Sequence, residues 1–527
     1  MLPNNTAWLS IILFLPLLTG IVILLLRRLN RAILGALALI GSLGTLVLAI
    51  LLYCQFDPDA PGWQMEEIRA WIPSIGARYH LGMDGVSLGL TLLTVFLAPI
   101  VVVYLLPRLR EDAGALLFTI LALETTILGV LLSLDVLLFY VFWEAMLIPM
   151  YFLISVWGAE GRARASLKFI LYMMAGSLLM LAGILWYYWL FFKAAHFFSF
   201  DLVHWIILDA DPIHHISPQV QSWIFGFFFL SFAIKVPLFP FHSWLPDAQE
   251  QGPVAFNVLL IEVGAFAFIR FCMYLFPMAS LDWAPAIMTL AVINVIYGAV
   301  MATIQTDLKR LFAYAAMSHA GFIMLGIFSM TVQGMEGGIL YMINSGLTGA
   351  GLFIIADLLY RRRRSRLINE FGGLARRMPL LFFFFLIIAL GAIGLPGLNG
   401  FTSEFLVLLG AIRTPIVSPW FGYLSGMGVV LSAVYMLWMF QRVMYGRLPV
   451  ALENAPTLDL REKVSLWPIV LVVIFIGVGS AVFTRPMDKS VEMVRTAIQR
   501  GTSLTSYRAP TPDASSDSSV VPESPAQ

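Results

Sequence analysis

The sequence predicts an all-α polytopic membrane protein of about fourteen transmembrane helices, with two inverted five-helix repeats and broken helices in spans 7 and 12. Three observations predict it. Of the 527 residues, 60% are hydrophobic and 12% charged, whereas a soluble domain carries about a quarter charged residues. Windows of about twenty apolar residues, the length that crosses a hydrocarbon core, recur from residue 8 to Phe483. Two of these windows are interrupted by proline or glycine beside a charge, at Lys235 and at Glu404. Lipid tolerates such breaks only where protein or water satisfies the freed backbone groups.

Several function classes fall away early. A net charge of +1 gives no reason to invoke nucleic acid. Cys54 and Cys272 stand alone, with neither metal-ligand spacing nor a disulfide framework. There is no glycine-rich phosphate loop, CxxC pair or HExxH helix, so a redox cofactor is expected to belong to another subunit.

The spans fall near 8–26, 33–53, 85–106, 114–132, 135–157, 168–192, 223–241, 254–276, 285–304, 311–331, 337–360, 379–412, 420–444 and 464–484. The first lacks the basic n-region and small-residue cleavage site of a secretory signal, so it is expected to be retained. Basic residues follow odd-numbered spans: Arg27, Arg28 and Arg31, then Arg108 and Arg110, then Arg162, Arg164 and Lys168. Lys309 and Arg310, Arg361 to Arg364 with Arg376 and Arg377, and Arg442 with Arg447 continue the pattern. The opposite loops are acidic or neutral, with Asp57, Asp59, Glu66 and Glu67 in one and Asp201, Asp209 and Asp211 in another. By the positive-inside rule both termini lie on the non-cytoplasmic side.

The chain divides into an N-terminal three-helix segment (1–112), a first repeat of spans 4–8 (113–276), a second of spans 9–13 (285–446), a last span (464–484) and a tail (485–527). The Ser/Pro/Asp-rich end of the tail, after about Thr502, is expected to be disordered. Five spans is an odd number, so tandem copies would be inverted in the membrane, with a broken helix fourth in each.

The central stretch is FFFLSFAIKVPLFPFHSWLPDA, from Phe227 to Ala248. Lys235 sits deep in its apolar run, followed by Pro237 and Pro240. A lysine in hydrocarbon marks by default a functional site facing the protein interior or water. The bland alternative, a kinked helix whose lysine snorkels outward, conflicts with its distance from either end of the run. In the second break, Pro396 and four glycines from Gly391 to Gly400 precede Glu404. Other charges lie inside spans: Glu144 in the fifth, Glu124 in the fourth, Glu262 in the eighth, and His319 in the tenth. Asp135 lies nearer the outer end of span 5, on the helix face opposite Glu144, and Asp357 is placed as an interfacial partner for the arginines. Buried charges also serve as structural helix-locking pairs, and a buried histidine is often only a satisfied core residue. As a set, alternating acids and bases suit a proton relay, because a Glu–Lys pair that closes and opens gives the lysine two proton affinities.

At these residues the chain resembles the antiporter-like, proton-pumping subunits of respiratory complex I. The markers are YHLGMDGVSL, FYVFWEAMLIPMYFLISVWG, FAIKVPLFPFHSWLPDA, DLKRLFAYAAMSHAGF, FGGLARRMP and the Pro396–Glu404 stretch, spread from about Tyr79 to Phe483. The resemblance implies fourteen spans, two inverted five-helix repeats, no cofactor in this subunit, and proton translocation driven by quinone reduction elsewhere in the complex. It implies L-type and N-type antiporter-like neighbours, and residence in a bacterial inner (plasma) membrane. By position, Glu144 matches the fifth-span glutamate that modulates the seventh-span lysine, Lys235, and His319 matches the tenth-span S-H-x-G histidine. Glu404 matches the twelfth-span acid of the M-type branch, where sister subunits carry lysine.

The chain departs from that pattern at three places. LLIEVGAFA stands where LLLKxGAYG is usual, so Glu262 replaces a central lysine. Gln249 replaces the histidine that ends WLPDAH, and Ser345 replaces the histidine of N-H-G. Either Glu262 is itself a carrier, or the path is interrupted and the subunit is structural or rerouted. The reversed local charge also leaves room for another carried ion, such as sodium. The reading is therefore a proton-translocating membrane subunit of an NADH:quinone oxidoreductase, its path carried by Glu144, Lys235, Glu262, His319 and Glu404. The alternative is an ion-translocating subunit of a multisubunit cation/proton antiporter or a membrane-bound hydrogenase.

Overall fold

The computed structural model describes residues 7–109, 111–209 and 216–506. Arg110, Asp211 and the tail beyond Ser506 lie outside the described residues. The first helices are α1 (Trp8–Leu25), α2 (Arg31–Gln55), α3 (Gly85–Leu105), α4 (Ala113–Leu132), α5 (Val136–Trp157), α6 (Arg162–Ala195) and α7 (Leu202–Asp209). The first broken region comprises α8 (Pro218–Lys235), α9 (Trp244–Gln251), α10 (Val254–Val258) and α11 (Val263–Ala267). Three long helices follow: α12 (Pro277–Thr303), α13 (Leu308–Phe328) and α14 (Val332–Arg363). The chain ends with α15 (Leu374–Arg377), α16 (Pro379–Ala392), α17 (Asn399–Arg413), α18 (Trp420–Met444), α19 (Val450–Glu453), α20 (Leu460–Gly479) and α21 (Ala481–Ser506).

Among the described residues, twelve stretches are long and apolar enough to cross a membrane. They are α1 to α6, the combined Val254–Met273 segment, α12, α13, α14, α18 and α20. The two remaining spans of the predicted fourteen coincide with the two predicted breaks, α8–α9 and α16–α17. Neither half of either pair meets the length and hydropathy that the other spans do.

The helices at the centre differ from those at the edge. Of the apolar window of α13, 94% is buried inside the chain, against 33% of that of α1. Small residues let the central helices approach closely. A Cβ on Gly298 of α12 would lie 2.8 Å from the Ser318 backbone nitrogen of α13, and one on Gly321 would lie 2.7 Å from the Ala291 carbonyl. At the periphery Leu18, Ile40, Leu178 and Val430 face outward, as a lipid-facing wall requires.

The two ends of the bundle carry different charges. At one end the basic residues are paired with acids at loop junctions: Arg366 with Asp307 (3.1 Å), Arg310 with Glu250 (2.7 Å), Arg362 with Glu462 (2.7 Å) and Lys168 with Asp247 (2.8 Å). Asp357 pairs with Arg361 at 2.5 Å, one of the arginines it was expected to partner. The opposite end holds an element that an all-α reading omits. Residues Gln64–Ile72 (β1) and Ala77–Met83 (β2) form an antiparallel hairpin, turned at Gly76 with φ +71°. Its Glu67 carboxylate accepts from the Leu9 backbone N–H at 2.7 Å, satisfying a free donor at the start of α1. His80 bridges Asp201 (3.0 Å) and Glu66 (2.9 Å). Asp135 is the N-cap of α5 and accepts from the backbone of Leu138 and Arg78, so its place is structural.

The C-terminal segment opens with a helix, α21, described through Ser506, and the rest of the tail expected to be disordered lies outside the described residues. Met487, Val491, Val494 and Ile498 make one buried stripe at helical spacing. Ser490 accepts from the Gly85 N–H at 3.0 Å, next to Asp84, the N-cap of α3. Asp84 in turn pairs with the buried Arg270 at 3.0 Å, in a π-helical turn (Phe268–Met273) that follows α11.

Candidate functional site

The first break is held open by partners for its freed backbone. The prolines remove donors after Lys235, and the Ile234 carbonyl accepts from Trp244 Nε1 at 2.8 Å. The Phe239 N–H donates to Asn294 Oδ1 at 2.9 Å, and Asn294 Nδ2 donates to the Met317 carbonyl at 2.8 Å. Asn294 thus ties the break to both α12 and α13. Lys235 ends α8, 6% exposed, and does not snorkel. Its Nζ lies 3.6 Å from Met150 Sδ and 5.8 Å from the Trp143 ring centre. Glu144, one turn and a half before Met150 on α5, lies within electrostatic reach of Lys235 and close to Ser177 and Tyr140. Its Oε1 is buried without a hydrogen-bond partner.

A second discontinuity lies opposite. The predicted eighth span is one apolar stretch, but its helix stops at Val258 and resumes at Val263. Glu262 sits at that interruption. Gly264 allows the two broken segments to cross, since a Cβ there would lie 3.1 Å from Lys235 Cβ and 2.8 Å from Val236. Between them is a cavity of about 50 Å³ whose polar lining is Lys235, Gln249, Asn257, Glu262 and Ser345. That volume admits a few water molecules, each needing roughly 10–15 Å³ of probe space. Gln249 Oε1 and Asn257 Oδ1, on residues each 4% exposed, are unpartnered. The three positions that depart from the family pattern therefore meet around one cavity with Lys235.

The second cluster surrounds Glu404. The chain turns between α16 and α17 at Gly394 and Gly397, with φ +72° and +88°. A side chain at Gly394 would collide with the Glu404 carboxylate, so glycine serves both the turn and the acid. The Tyr341 hydroxyl donates to Glu404 Oε1 at 2.8 Å, and its ring centre is 5.6 Å from that of His319. His319 hydrogen-bonds the Ala392 backbone at the end of α16, and its Nε2 is buried and unpartnered. The clusters adjoin along two shared helices. Ala316 on α13 lines the cavity, three residues before His319, and Ser345 on α14 lines it, four after Tyr341. The separations are about 4.5 Å and about 6 Å along the helix axes.

The five predicted path residues make a row of two groups: Lys235 with Glu144 and Glu262 at the cavity, and His319 and Glu404 on either side of Tyr341. Glu124 remains apart, fully buried with both carboxylate oxygens unpartnered. Sequence reasoning passed over Tyr341 and Asn257, which carry no charge and have ordinary membrane neighbours. Chemically, the row offers a base, acids, a phenol and room for water, but no arrangement of a nucleophile with its activating base.

Relatives of known name share this architecture. The NADH:quinone oxidoreductase/Mrp antiporter membrane family matches residues 133–443. NADH-quinone oxidoreductase subunit M of Mycobacterium tuberculosis (strain CDC 1551 / Oshkosh) is 40% identical over 97% of this chain and 98% of its own length. The subunit M of Rhodobacter capsulatus is 35% identical over 92% and 95%. A chain of respiratory complex I from Thermus thermophilus with bound NADH superposes with a TM-score of 0.84 at 32% identity, covering 93% of this chain and 99% of that one. The chain belongs to the subunit M branch of the NADH:quinone oxidoreductase/Mrp antiporter family.

Proposed function

We propose that this chain is the membrane subunit of an NADH:quinone oxidoreductase that translocates protons, driven by quinone reduction in other subunits. The observation that carries this reading is Lys235, buried at the end of a broken helix between Glu144 and a water-sized cavity shared with Glu262. When Glu144 approaches, Lys235 holds its proton; when the pair separates, the apolar surroundings favour its release toward Glu262. His319 and Tyr341 continue the row to Glu404. The subunit itself carries no redox cofactor and works beside L-type and N-type neighbours. It crosses a bacterial inner membrane fourteen times, spans 4–8 and 9–13 being inverted repeats, with the basic loop ends cytoplasmic and both termini outside.

The alternative, an ion-translocating subunit of a cation/proton antiporter or hydrogenase, would use the same helices. Near-full-length identity to subunit M relatives favours the complex I reading. The test is proton pumping by inverted vesicles carrying Lys235→Ala in the assembled complex, with NADH oxidation recorded in parallel. Pumping is expected to be lost, with or without slowed oxidation. A normal proton-to-electron ratio would make the break at Pro237 purely structural.

A further inference from the structure

Two spaces approach each other around the end of α9. One is a crevice of about 770 Å³ among the basic loop ends, lined by Gln251, Gly252, Pro253, Lys309, Arg364 and Arg366 among others. The other is the cavity holding Lys235, Gln249, Asn257 and Glu262. The turn from Gln249 to Asn257 lines both, as do α13 and α14, and it alone joins them through one shared backbone carbonyl among the hydrogen bonds of the described residues. Its Gly252 carbonyl accepts from Lys309 Nζ on the crevice side at 2.8 Å and from Asn257 Nδ2 on the cavity side at 3.4 Å. No side chain fits at Gly252, where a Cβ would lie 2.7 Å from both the Ala248 carbonyl and the Phe256 ring. Asn257 also donates to the Gln249 carbonyl at 3.0 Å, while its Oδ1 is buried and unpartnered beside the cavity. A spare buried acceptor next to a space of this size is where a structural water settles.

We propose that this turn is the port by which the Lys235–Glu262 cavity exchanges protons with the basic face, and that Asn257 is its positioning residue. The proposal rests on the pumping function above. A backbone carbonyl accepts a hydrogen bond but does not hand a proton on, so the arrangement seen is the closed one. It opens when Asn257 Nδ2 releases Gly252, the longer of its two bonds, and keeps Gln249. Gly252 then accepts from a water, and a water chain joins crevice to cavity. One proton passes along it to the Lys235 amine or the Glu262 carboxylate, each water giving one proton and receiving one.

The test compares Asn257→Leu, Asn257→Ser and Lys235→Ala in the assembled complex, reading protons pumped per NADH oxidised. The ratio is expected to fall in Asn257→Leu and Lys235→Ala and to be retained in Asn257→Ser, whose hydroxyl still binds water. A wild-type ratio in Asn257→Leu, with Lys235→Ala impaired, overturns the port alone. A wild-type ratio in Lys235→Ala removes the pumping reading and the port with it. If Asn257→Leu does not assemble, a Gln249→Cys thiol in a Cys54→Ala background serves instead. A small hydrophilic methanethiosulfonate is expected to reach it from the basic face faster when Asn257 is also Gly. Equal labelling with and without Asn257→Gly overturns the port.

Discussion

Glu262 faces the same cavity as Lys235, so the charge of the proposed path turns on it. If it carries a proton, Glu262→Gln lowers the proton-to-electron ratio while Glu262→Lys, which places two cations around one small cavity, lowers it further. An unchanged ratio in Glu262→Gln takes the residue off the path. Tyr341 makes a second test at this scale. Tyr341→Phe leaves Glu404 Oε1 without its donor, a loss of about 1–3 kcal/mol at a buried site. Slowed pumping with an intact, assembled complex is the expected result, since the phenol donates to Glu404 and packs beside His319. Lys235 and Glu404 were legible in the sequence because a charge in an apolar run is a one-dimensional signal. Tyr341 and Asn257 were not, since a phenol or an amide is common in such helices. Only their contacts distinguish them.

The same contrast holds for elements. The breaks after Lys235 and before Glu404 were legible because proline and glycine interrupt a helix by their own covalent geometry. The break at Leu259–Glu262 contains neither, and is held by tertiary contacts such as the crossing at Gly264. The hairpin was hidden because Glu66 and Glu67 were weighed as loop charges and the stretch from Tyr79 as a family marker, neither as strand. Its docking makes a pH prediction. Burial disfavours the charged form of His80, but hydrogen bonds and charges from Asp201 and Glu66 outweigh it and leave its pKa above the ordinary 6.5. Burial likewise opposes the Asp201 carboxylate, and its bond to His80 outweighs that and leaves its pKa below 3.8. A raised histidine contributes stability that is full below its unfolded pKa and lost as pH rises through the folded one. A lowered aspartate contributes above its unfolded pKa and loses this as pH falls through the folded one. Hairpin docking is therefore firmest between about pH 4 and 6.5 and loosens on the alkaline side. Hydrogen exchange of the β2 amides, corrected for intrinsic rate, is expected to lose protection as pH rises above that window. In His80→Gln this dependence should vanish.

At the scale of the whole molecule, charge separates the two ends, and that separation bears on which side would feed the proposed path. The crevice beside Lys309 opens among the arginines, whereas the hairpin, with Glu66 and Glu67, lies at the other end beside Asp201. If positive loops stay cytoplasmic, the proposed path takes protons into the Lys235 cavity from the cytoplasm and releases them beyond Glu404. The chain carries its own reporter of this orientation. Cys54 is exposed in the last turn of α2, three residues before Asp57, at the acidic end, while Cys272 is buried. A membrane-impermeant maleimide is expected to label Cys54 in right-side-out vesicles and to leave it unmodified in inverted ones, with Cys272 silent until denaturation. Labelling confined to inverted vesicles would turn the molecule over. It would place the Lys309 crevice on the outside, so that the same cavity would be filled from the side to which a pump must deliver.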